Sequence, residues 1–267
     1  MSEPSLPTFS SGLLSTGDPH PVIQEGRGLS KVLVVCDHAG NAVPSRLALG
    51  VGAADLRRHI GWDMGALGVA RYLAQELGAE LIAQRYSRLV IDCNRPPSEA
   101  AAFPARVDGT DVPGNASMAA GDAAARVAEI FHPYHSAISS ALDRRLDAGV
   151  EPIIVSVHSF TPFHSDFPDP RPWEASVIYD KNPELSKAIA AHMRSEGVKF
   201  GENEPYAPGM LQDYTMPVHG DARGIAHTLI EIRQNLIASA DAQREWGARI
   251  ARAVNASLAE TLFKATA

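Results

Sequence analysis

The chain has 267 residues, of which 45% are hydrophobic and 21% are charged, and its formal net charge is −7. This length and composition predict a buried core and suit one large α/β domain. The acidic balance disfavours binding to nucleic acid or to an anionic membrane, whereas a small anionic substrate fits if arginines gather at its site.

The first half of the chain alternates apolar runs with one helical pattern. Residues 1–28 are rich in Ser, Pro and Gly, which predicts an extended N-terminal arm. An uninterrupted apolar run predicts a strand over 31–36 that is buried on both faces. From Asp63 the apolar spacing becomes helical, and Gly78 ends that helix. Short strands are predicted at 79–84 and 88–93.

The second half repeats strands and helices around long irregular stretches. A helix is predicted over about 121–148, with Pro133 expected to kink or divide it. In the last helix, apolar residues recur every four positions from Trp246 to Leu262. Strands are predicted at 152–157, 175–179, 198–200 and 226–232, a helix at 183–196, and loops at 94–118, 160–173 and 201–224.

Strands that alternate with helices predict an α/β sheet with helices on both sides. We find no linker and no internal repeat, so a single domain is expected over 1–267. The three long loops follow the carboxyl ends of strands, where open α/β sheets place their sites.

The cellular compartment is predicted from two features. Cys36 and Cys93 each end a predicted strand, so we expect buried thiols rather than a disulfide framework. The N-terminus lacks a basic region followed by an apolar stretch, and no run approaches the roughly 18 apolar residues of a membrane span. These features favour a cytoplasmic protein.

Two of the apolar runs lead into a histidine, and a third ends in an acid. His38 and His158 follow two of the predicted strands, and Glu231 ends another. If these strands share a sheet, the two imidazoles and the carboxylate gather at one edge. Ligands that hold a metal beside a carboxylate that activates water are typical of a zinc hydrolase. Asp37 is expected to face away from His38, because neighbouring strand positions alternate.

Asp63 has two interpretations. At the start of a predicted helix, its carboxylate can cap the helix by accepting backbone N–H groups. It can instead be the oxygen ligand that completes a metal site with two histidines. The sequence pattern leaves both open.

Charged side chains near the strand ends have similar paired interpretations. Arg95 presents a fork suited to a carboxylate, and the alternatives are a salt bridge with Asp92 or a clamp that holds the loop in place. Glu231 ends an apolar strand, so it needs a cation, a metal-bound water or a proton. Arg233, two residues further on, is interpreted either as a substrate contact or as the ion-pair partner of Glu231.

Other histidines carry weaker signals. His132 and His135 are spaced three residues apart on a helix, which favours packing because no carboxylate accompanies them. His164 has no supporting context, and His219 lies in a polar loop. The sequence contains no Gly-rich phosphate loop and no Gly-x-Ser-x-Gly elbow, so neither a nucleotide site nor a serine hydrolase is supported.

The order and type of several motifs resemble the N-formylglutamate amidohydrolase family, from about residue 31 to the C-terminal helix. The motifs are His38 with Gly40, Asp63, Ser87-Arg88, Asp92-x-Asn94-Arg95-Pro96, His158-Ser159 and Glu231-Ile232-Arg233. The resemblance implies a zinc carboxypeptidase-like fold. That fold is a three-layer α/β/α arrangement of the zinc exopeptidase type, with a mixed, mostly parallel central sheet.

The resemblance also implies roles for these residues. It implies Zn²⁺, or another divalent metal, held by a cluster of three ligands, with Glu231 as the general base. The ligands are His38, Asp63 and His158. The resemblance implies that Asn94 and Arg95 hold the substrate carboxylate, and Arg88, Arg233 and Ser159 are the further residues expected to contact the substrate. In the mechanism expected from these roles, Arg95 or Arg88 stabilises the oxyanion.

The implied substrate is a small anionic N-acyl amino acid such as N-formyl-L-glutamate, with a place in amino-acid catabolism such as histidine degradation. Two motifs depart from the better-known members, which have Pro-His-Ser-Gly around His38 and Glu-x-Asn-Arg after Glu231. These departures leave the acyl group and the amino acid open. A peptidase or cell-wall amidase with the same metal centre, and a non-catalytic protein that binds acidic ligands, are the alternatives. The sequence does not predict the oligomeric state.

Overall fold

A computed structural model describes residues 12–165, 169–207 and 213–265, with side chains described as far as residue 259. Its strands are β1 (Val22–Glu25), β2 (Val32–Cys36), β3 (Glu80–Gln84), β4 (Arg106–Val107), β5 (Thr110–Asp111), β6 (Ile153–Phe160), β7 (Ala175–Ile178), β8 (Phe200–Glu202) and β9 (Ala226–Arg233). Its helices are α1 (Ala53–Leu56), α2 (Ala66–Glu76), α3 (Pro113–Ala116), α4 (Ala120–Arg126), α5 (His132–Asp147), α6 (Glu184–Ser195), α7 (Thr215–His219) and α8 (Ala240–Ala265). Over the described ranges, no helix combines the length and apolarity that a membrane crossing requires.

Seven strands form one sheet in the order β1-β3-β2-β6-β9-β7-β8. Strands β3, β2, β6 and β9 pair in parallel, as do β7 and β8. The β1–β3 and β7–β9 pairs are antiparallel. The predicted mixed, mostly parallel sheet is therefore confirmed.

The core lies on both faces of this sheet. Along β2, Val34 and Cys36 pack into the cluster that includes α2, α6 and α8. Leu33 and Val35, on the other face, pack into the cluster that includes α5. Because successive strand residues face opposite sides, an uninterrupted apolar run is what a strand covered on both faces requires. The three-layer α/β/α arrangement and the two-sided burial of this strand are confirmed.

The predicted strand over 88–93 is wrong, because these residues form turns and irregular backbone. Their apolar side chains are nevertheless fully buried. Side chains, rather than a neighbouring strand, donate hydrogen bonds to the backbone carbonyls here. Arg126 Nη1 donates to the Val90 carbonyl at 3.0 Å, and Asn115 Nδ2 donates to the Leu89 carbonyl at 2.8 Å. An apolar run therefore predicts burial here, but other parts of the chain decide its backbone conformation.

The long helix predicted over about 121–148 is divided as expected. A five-residue π-helical turn, Val127–Phe131, separates α4 from α5. Pro133 lies in the first turn of α5, directly after the wide turn. Proline has no backbone N–H and its ring crowds the preceding turn, so regular α-helical bonding cannot continue through it.

The chain ends and loops need small corrections. The predicted arm is partly a strand, since β1 pairs with β3 at the sheet edge, and residues 1–11 lie outside the described part. The predicted loop 94–118 contains the β4–β5 hairpin and α3, and 201–224 contains α7. On α8 the apolar stripe from Trp246 to Val254 is buried, but the Leu262 side chain lies outside the described residues. A single domain over 1–267 stays a prediction.

Candidate metal centre

Two histidines and an aspartate meet at the carboxyl edge of the parallel strands. β2 and β6 are neighbours, so His38, just after β2, comes close to His158 in β6. The Nδ1 atoms of His38 and His158 lie 3.4 and 2.8 Å from Asp63 Oδ2. One ligating atom of each residue lies within 4.8 Å of the others, and all three side chains are buried. We call His38, Asp63 and His158 the central cluster.

The donor set of the central cluster fits a zinc ion. Bonds of about 2.0–2.1 Å in a tetrahedral arrangement place ligand atoms roughly 3.3 Å apart, close to the two distances found here. Two imidazoles and one carboxylate are also a common ligand set for catalytic zinc.

Asp63 does not cap the helix that follows it. Helix α2 begins at Ala66, and Gly65 occupies its N-cap position. The Asp63 backbone N–H donates to the His38 carbonyl at 2.9 Å, and its carboxylate accepts the Ser159 backbone N–H at 3.3 Å. The chain thus turns so that the carboxylate faces the imidazoles, and the N-cap interpretation is wrong.

Each imidazole of the central cluster also contacts a second carboxylate, through its other ring nitrogen. His38 Nε2 lies 2.7 Å from Asp92 Oδ1, and His158 Nε2 lies 2.9 Å from Asp37 Oδ2. Such contacts fix the ring orientation and leave both Nδ1 atoms toward Asp63. Neither role follows from the sequence pattern, which offers Asp92 only as a partner of Arg95. Strand alternation turns Asp37 away from His38, and this was the one sequence signal that Asp37 contacts a different residue.

These outer carboxylates are themselves firmly held. Arg88 donates to Asp92 Oδ2 through Nε at 3.1 Å and Nη2 at 2.8 Å, and the Asn94 backbone N–H donates to Asp92 Oδ1 at 2.9 Å. Arg88 is therefore mainly a partner of Asp92 within the site. Three hydroxyl groups donate to Asp37, from Ser156, Tyr134 and Thr215.

The electrostatics of the central cluster favour a positive charge at its centre. Burial by itself raises the pKa of Asp63, but His38 and His158 hold that pKa well below its usual range. Burial lowers the pKa of His158, yet its bonds to Asp37 and Asp63 raise it well above the ordinary value. Protons or a metal ion can supply the charge that these carboxylates stabilise.

Glu231 lies beside the central cluster because of strand register. Strands β6 and β9 pair so that His158 is opposite Glu231. Within the described part of the chain, Glu231 Oε2 is buried and has no hydrogen-bond partner. Burial raises the pKa of Glu231 to about 7, and the nearby Asp63 adds to this effect, against the lowering influence of His158.

Arg233 does not join Glu231. Its Nε donates to Asn235 Oδ1 at 3.0 Å, and its Nη1 donates to the Arg171 carbonyl at 3.2 Å. Among the described residues, Arg233 neither lines the pocket beside the central cluster nor pairs with Glu231. The geometry therefore supports neither interpretation that the sequence offered for this arginine.

Arg95 is buried in the pocket wall and is held by a carboxylate of the same chain. Its Nη1 donates to Asp213 Oδ1 and, at 2.8 Å, to the Asn94 carbonyl. Asn94 Nδ2 also donates to Asp213, at 3.1 Å. The alternative salt bridge with Asp92 does not form, and Arg95 instead clamps two loops together through Asp213 and the Asn94 carbonyl. The Nε and Nη2 donors of Arg95 make no hydrogen bond to any residue in the described ranges, so this side of the fork remains for another acceptor.

A cavity of about 540 Å³ lies beside the central cluster. Its wall includes the central cluster, Glu231 and Ser159, whose Oγ donates to the Met64 carbonyl at 3.0 Å. All three long irregular stretches predicted from the sequence also contribute. Their lining residues include Asn94, Arg95, Arg106, His164, Tyr206 and Asp213.

Fold and site together define the class: an α/β protein with a buried His-Asp-His candidate metal site that opens into a pocket. The sequence profile of the N-formylglutamate amidohydrolase family matches residues 30–238, and the chain belongs to that family. The resemblance stated from the sequence motifs is thereby confirmed. No protein of curated function matches the chain.

Solved structures agree with this assignment. The gene product Atu2144 from Agrobacterium tumefaciens is 32% identical over 93% of this chain and 99% of its own, with a TM-score of 0.89. An N-formylglutamate amidohydrolase from Ralstonia eutropha JMP134 is 18% identical over 89% and 99%, with a TM-score of 0.63, which shows a shared fold. A metallo-carboxypeptidase from Burkholderia cenocepacia, 13% identical over 96% and 66%, reaches a TM-score of 0.43, too low to carry an argument.

Proposed function

We propose that this protein is a metal-dependent amidohydrolase that removes the N-formyl or N-acyl group from an acidic amino acid such as N-formyl-L-glutamate. One observation carries the proposal. The central cluster is buried, backed by two carboxylates, and shares one cavity with an arginine and with Glu231, whose Oε2 has no hydrogen-bond partner among the described residues. The substrate named for the Ralstonia eutropha relative belongs to the same class.

The central cluster would hold the metal through His38, Asp63 and His158. When bound, zinc supplies Lewis acidity that polarises an amide carbonyl and acidifies water. Asp92 and Asp37 keep the imidazole rings fixed, so the ligands need little reorganisation. The surrounding burial excludes bulk water and strengthens the electrostatic interactions of the site.

Glu231 is the general base in this proposal. It is in the cavity wall, opposite His158 in the sheet, and its Oε2 has no competing hydrogen bond from the described residues. Its carboxylate would accept a proton from the attacking water and return it to the amine nitrogen as the amide C–N bond breaks. Water then contributes hydroxyl to the acyl product and hydrogen to the amine product.

Arg95 and Asn94 would bind the substrate carboxylate. Arg95 is 5% exposed, so its side chain has little freedom to move away from the cavity. Its Nε and Nη2 donors can form the paired hydrogen bonds that carboxylates accept. Ser159 and Arg88 also line the cavity.

The cavity favours a small substrate over a polymeric one. Ligand pockets for small molecules span about 300–1,000 Å³, and this cavity lies in that range. The three long stretches line one cavity together. The peptidase, cell-wall amidase and non-catalytic alternatives lack a comparable specific observation.

A Glu231→Gln variant tests the proposal. Its shape is preserved but it cannot take up a proton, so kcat for N-formyl-L-glutamate should fall by about 10²–10⁴-fold while zinc content is unchanged. The wild-type protein should first be screened against formyl and acetyl amino acids. Near-normal turnover by the variant would remove Glu231 as the base, and stoichiometric zinc without turnover of any amide would refute the enzyme proposal.

A further inference from the structure

We propose that His59, Asp108 and His164 bind a second divalent transition-metal ion in the wall of the same cavity. We call these three residues the wall cluster. One ligating atom of each lies within 4.8 Å of the others. His59 and His164 line the cavity that also contains the central cluster, but the two clusters share no residue.

The distances within the wall cluster suit a metal ion. His59 Nε2 is 3.2 Å from Asp108 Oδ2, and His164 Nδ1 is 3.8 Å from Asp108 Oδ1. Ligand atoms around a tetrahedral zinc ion lie roughly 3.3 Å apart, so small side-chain rotations would complete the arrangement. The side chains are largely buried, at 19% exposure for each histidine and 7% for Asp108.

Three separate segments build the wall cluster. His59 lies between α1 and α2, Asp108 in the turn that joins β4 to β5, and His164 in the stretch after β6. Asp108 has a φ of 42°, in the left-handed region that aspartate and asparagine tolerate better than most residues. The hairpin turn thus presents its carboxylate toward histidines that are distant in sequence.

His59 is the residue that points most directly to a missing ligand. Its Nε2 is buried, and within the described ranges it has no hydrogen-bond partner despite lying near Asp108. A buried polar atom in this state calls for an explanation such as an ion. Asp108, by contrast, is held in place by Arg58 Nη2 at 2.8 Å and by the Ser165 backbone N–H at 2.9 Å. Such bonds orient carboxylates that ligate metals.

The charge balance permits a cation here. Arg58 is the positive group closest to Asp108, but its side chain is 39% exposed and also contacts Asp55. Solvent therefore screens Arg58 more than it screens the carboxylate. Imidazole ligands select zinc, cobalt, nickel or copper over magnesium and calcium. With three protein ligands, positions remain for solvent or for an anionic group of a molecule in the cavity.

Metal counting on the whole, tag-free chain tests the proposal. After removal of metal by a chelator, the protein is dialysed against buffered Zn²⁺, and bound zinc is measured by mass spectrometry. The wild type should hold two ions per chain, His59→Ala and Asp108→Asn one each, and the exposed-surface control His132→Ala two. Excess Mg²⁺ should displace neither ion.

The same experiment separates the wall cluster from the proposed function, which depends on the central cluster. A His38→Ala variant should keep one ion, and adding His59→Ala should remove it. The Co²⁺-loaded wild type and His59→Ala proteins should differ in visible absorption by one cobalt equivalent. If the wild type binds a single zinc ion that is lost in His38→Ala and kept in His59→Ala, the wall cluster is not a metal site.

Discussion

Arg95 and Arg233 were both expected from the sequence to bind the substrate carboxylate, and the structure separates them. Arg95 lines the cavity with its Nε and Nη2 donors unbonded among the described residues, whereas Arg233 is engaged by Asn235 and a carbonyl outside the cavity lining. We therefore expect Arg95→Ala to weaken binding of acidic substrates and Arg233→Ala to leave it unchanged. The two substitutions remove the same charge and nearly the same volume, so each is the matched control for the other.

The magnitude follows from the hydrogen bonds that are lost. A bidentate contact between a guanidinium and a carboxylate, taken at about 1.5–3 kcal/mol, corresponds to about a 10- to 150-fold rise in KM. Asp213 loses its cation in the variant, but its side chain is 29% exposed and can be hydrated. Arg95→Lys keeps the charge without the fork, so its KM should lie between those of wild type and Arg95→Ala.

Steady-state kinetics with N-formyl-L-glutamate measure this effect, and calorimetric titration with glutamate checks it without turnover. A formylated amine that has no carboxylate should give the same KM with wild type and Arg95→Ala, which controls for general damage to the site. A change of less than threefold in Arg95→Ala, or an equal rise in Arg233→Ala, would refute the assignment of the carboxylate subsite.

The remaining predictions concern metal affinity and stability. Asp92→Asn should lower the zinc affinity by about 10- to 100-fold, because His38 loses its charged partner. Competition with a chromophoric chelator measures this affinity. An unchanged affinity would contradict the role of Asp92. Gly40→Ala should lower the free energy of unfolding by about 1–3 kcal/mol, because an added Cβ would overlap the Arg85 carbonyl. Gly121 has open space around it, so Gly121→Ala should raise the free energy of unfolding by about 0.5–1 kcal/mol. Thermal unfolding compares the two variants, and equal melting temperatures would count against the close approach at Gly40.

Strand geometry predicts that His38, His158 and Glu231 gather at one edge of the sheet, whereas Asp63 is chosen as the third ligand only by the resemblance to the family. Apolar runs that end in His38 and His158 indicate neighbouring parallel strands, and the acidic end of another run indicates Glu231 beside them. Side-chain alternation also predicted that Asp37 faces away from His38. These inferences rest on local periodicity, which the chain itself displays.

Long-range partners were beyond the reach of that reasoning. The Asp213 contact with Arg95 joins residues 118 positions apart, and no local pattern indicates it. The turns over 88–93 depend on Asn115 and Arg126, whose side chains replace ladder hydrogen bonds. The wall cluster was missed for the same reason, since His164 gains significance only from the hairpin that carries Asp108.

The pairing of β6 with β9 extends over eight residues, from Ile153 with Ala226 to Phe160 with Arg233. Side chains along such a ladder have a repeat of two, so inserting one residue into either strand would turn Glu231 away from His158 and toward the opposite helical layer. Lengthening the surface connections carries no such penalty. Divergence among relatives should therefore accumulate as insertions between strands, while the spacing within these two strands stays invariant, and homologues with altered substrate preference should differ in loop length rather than in strand length.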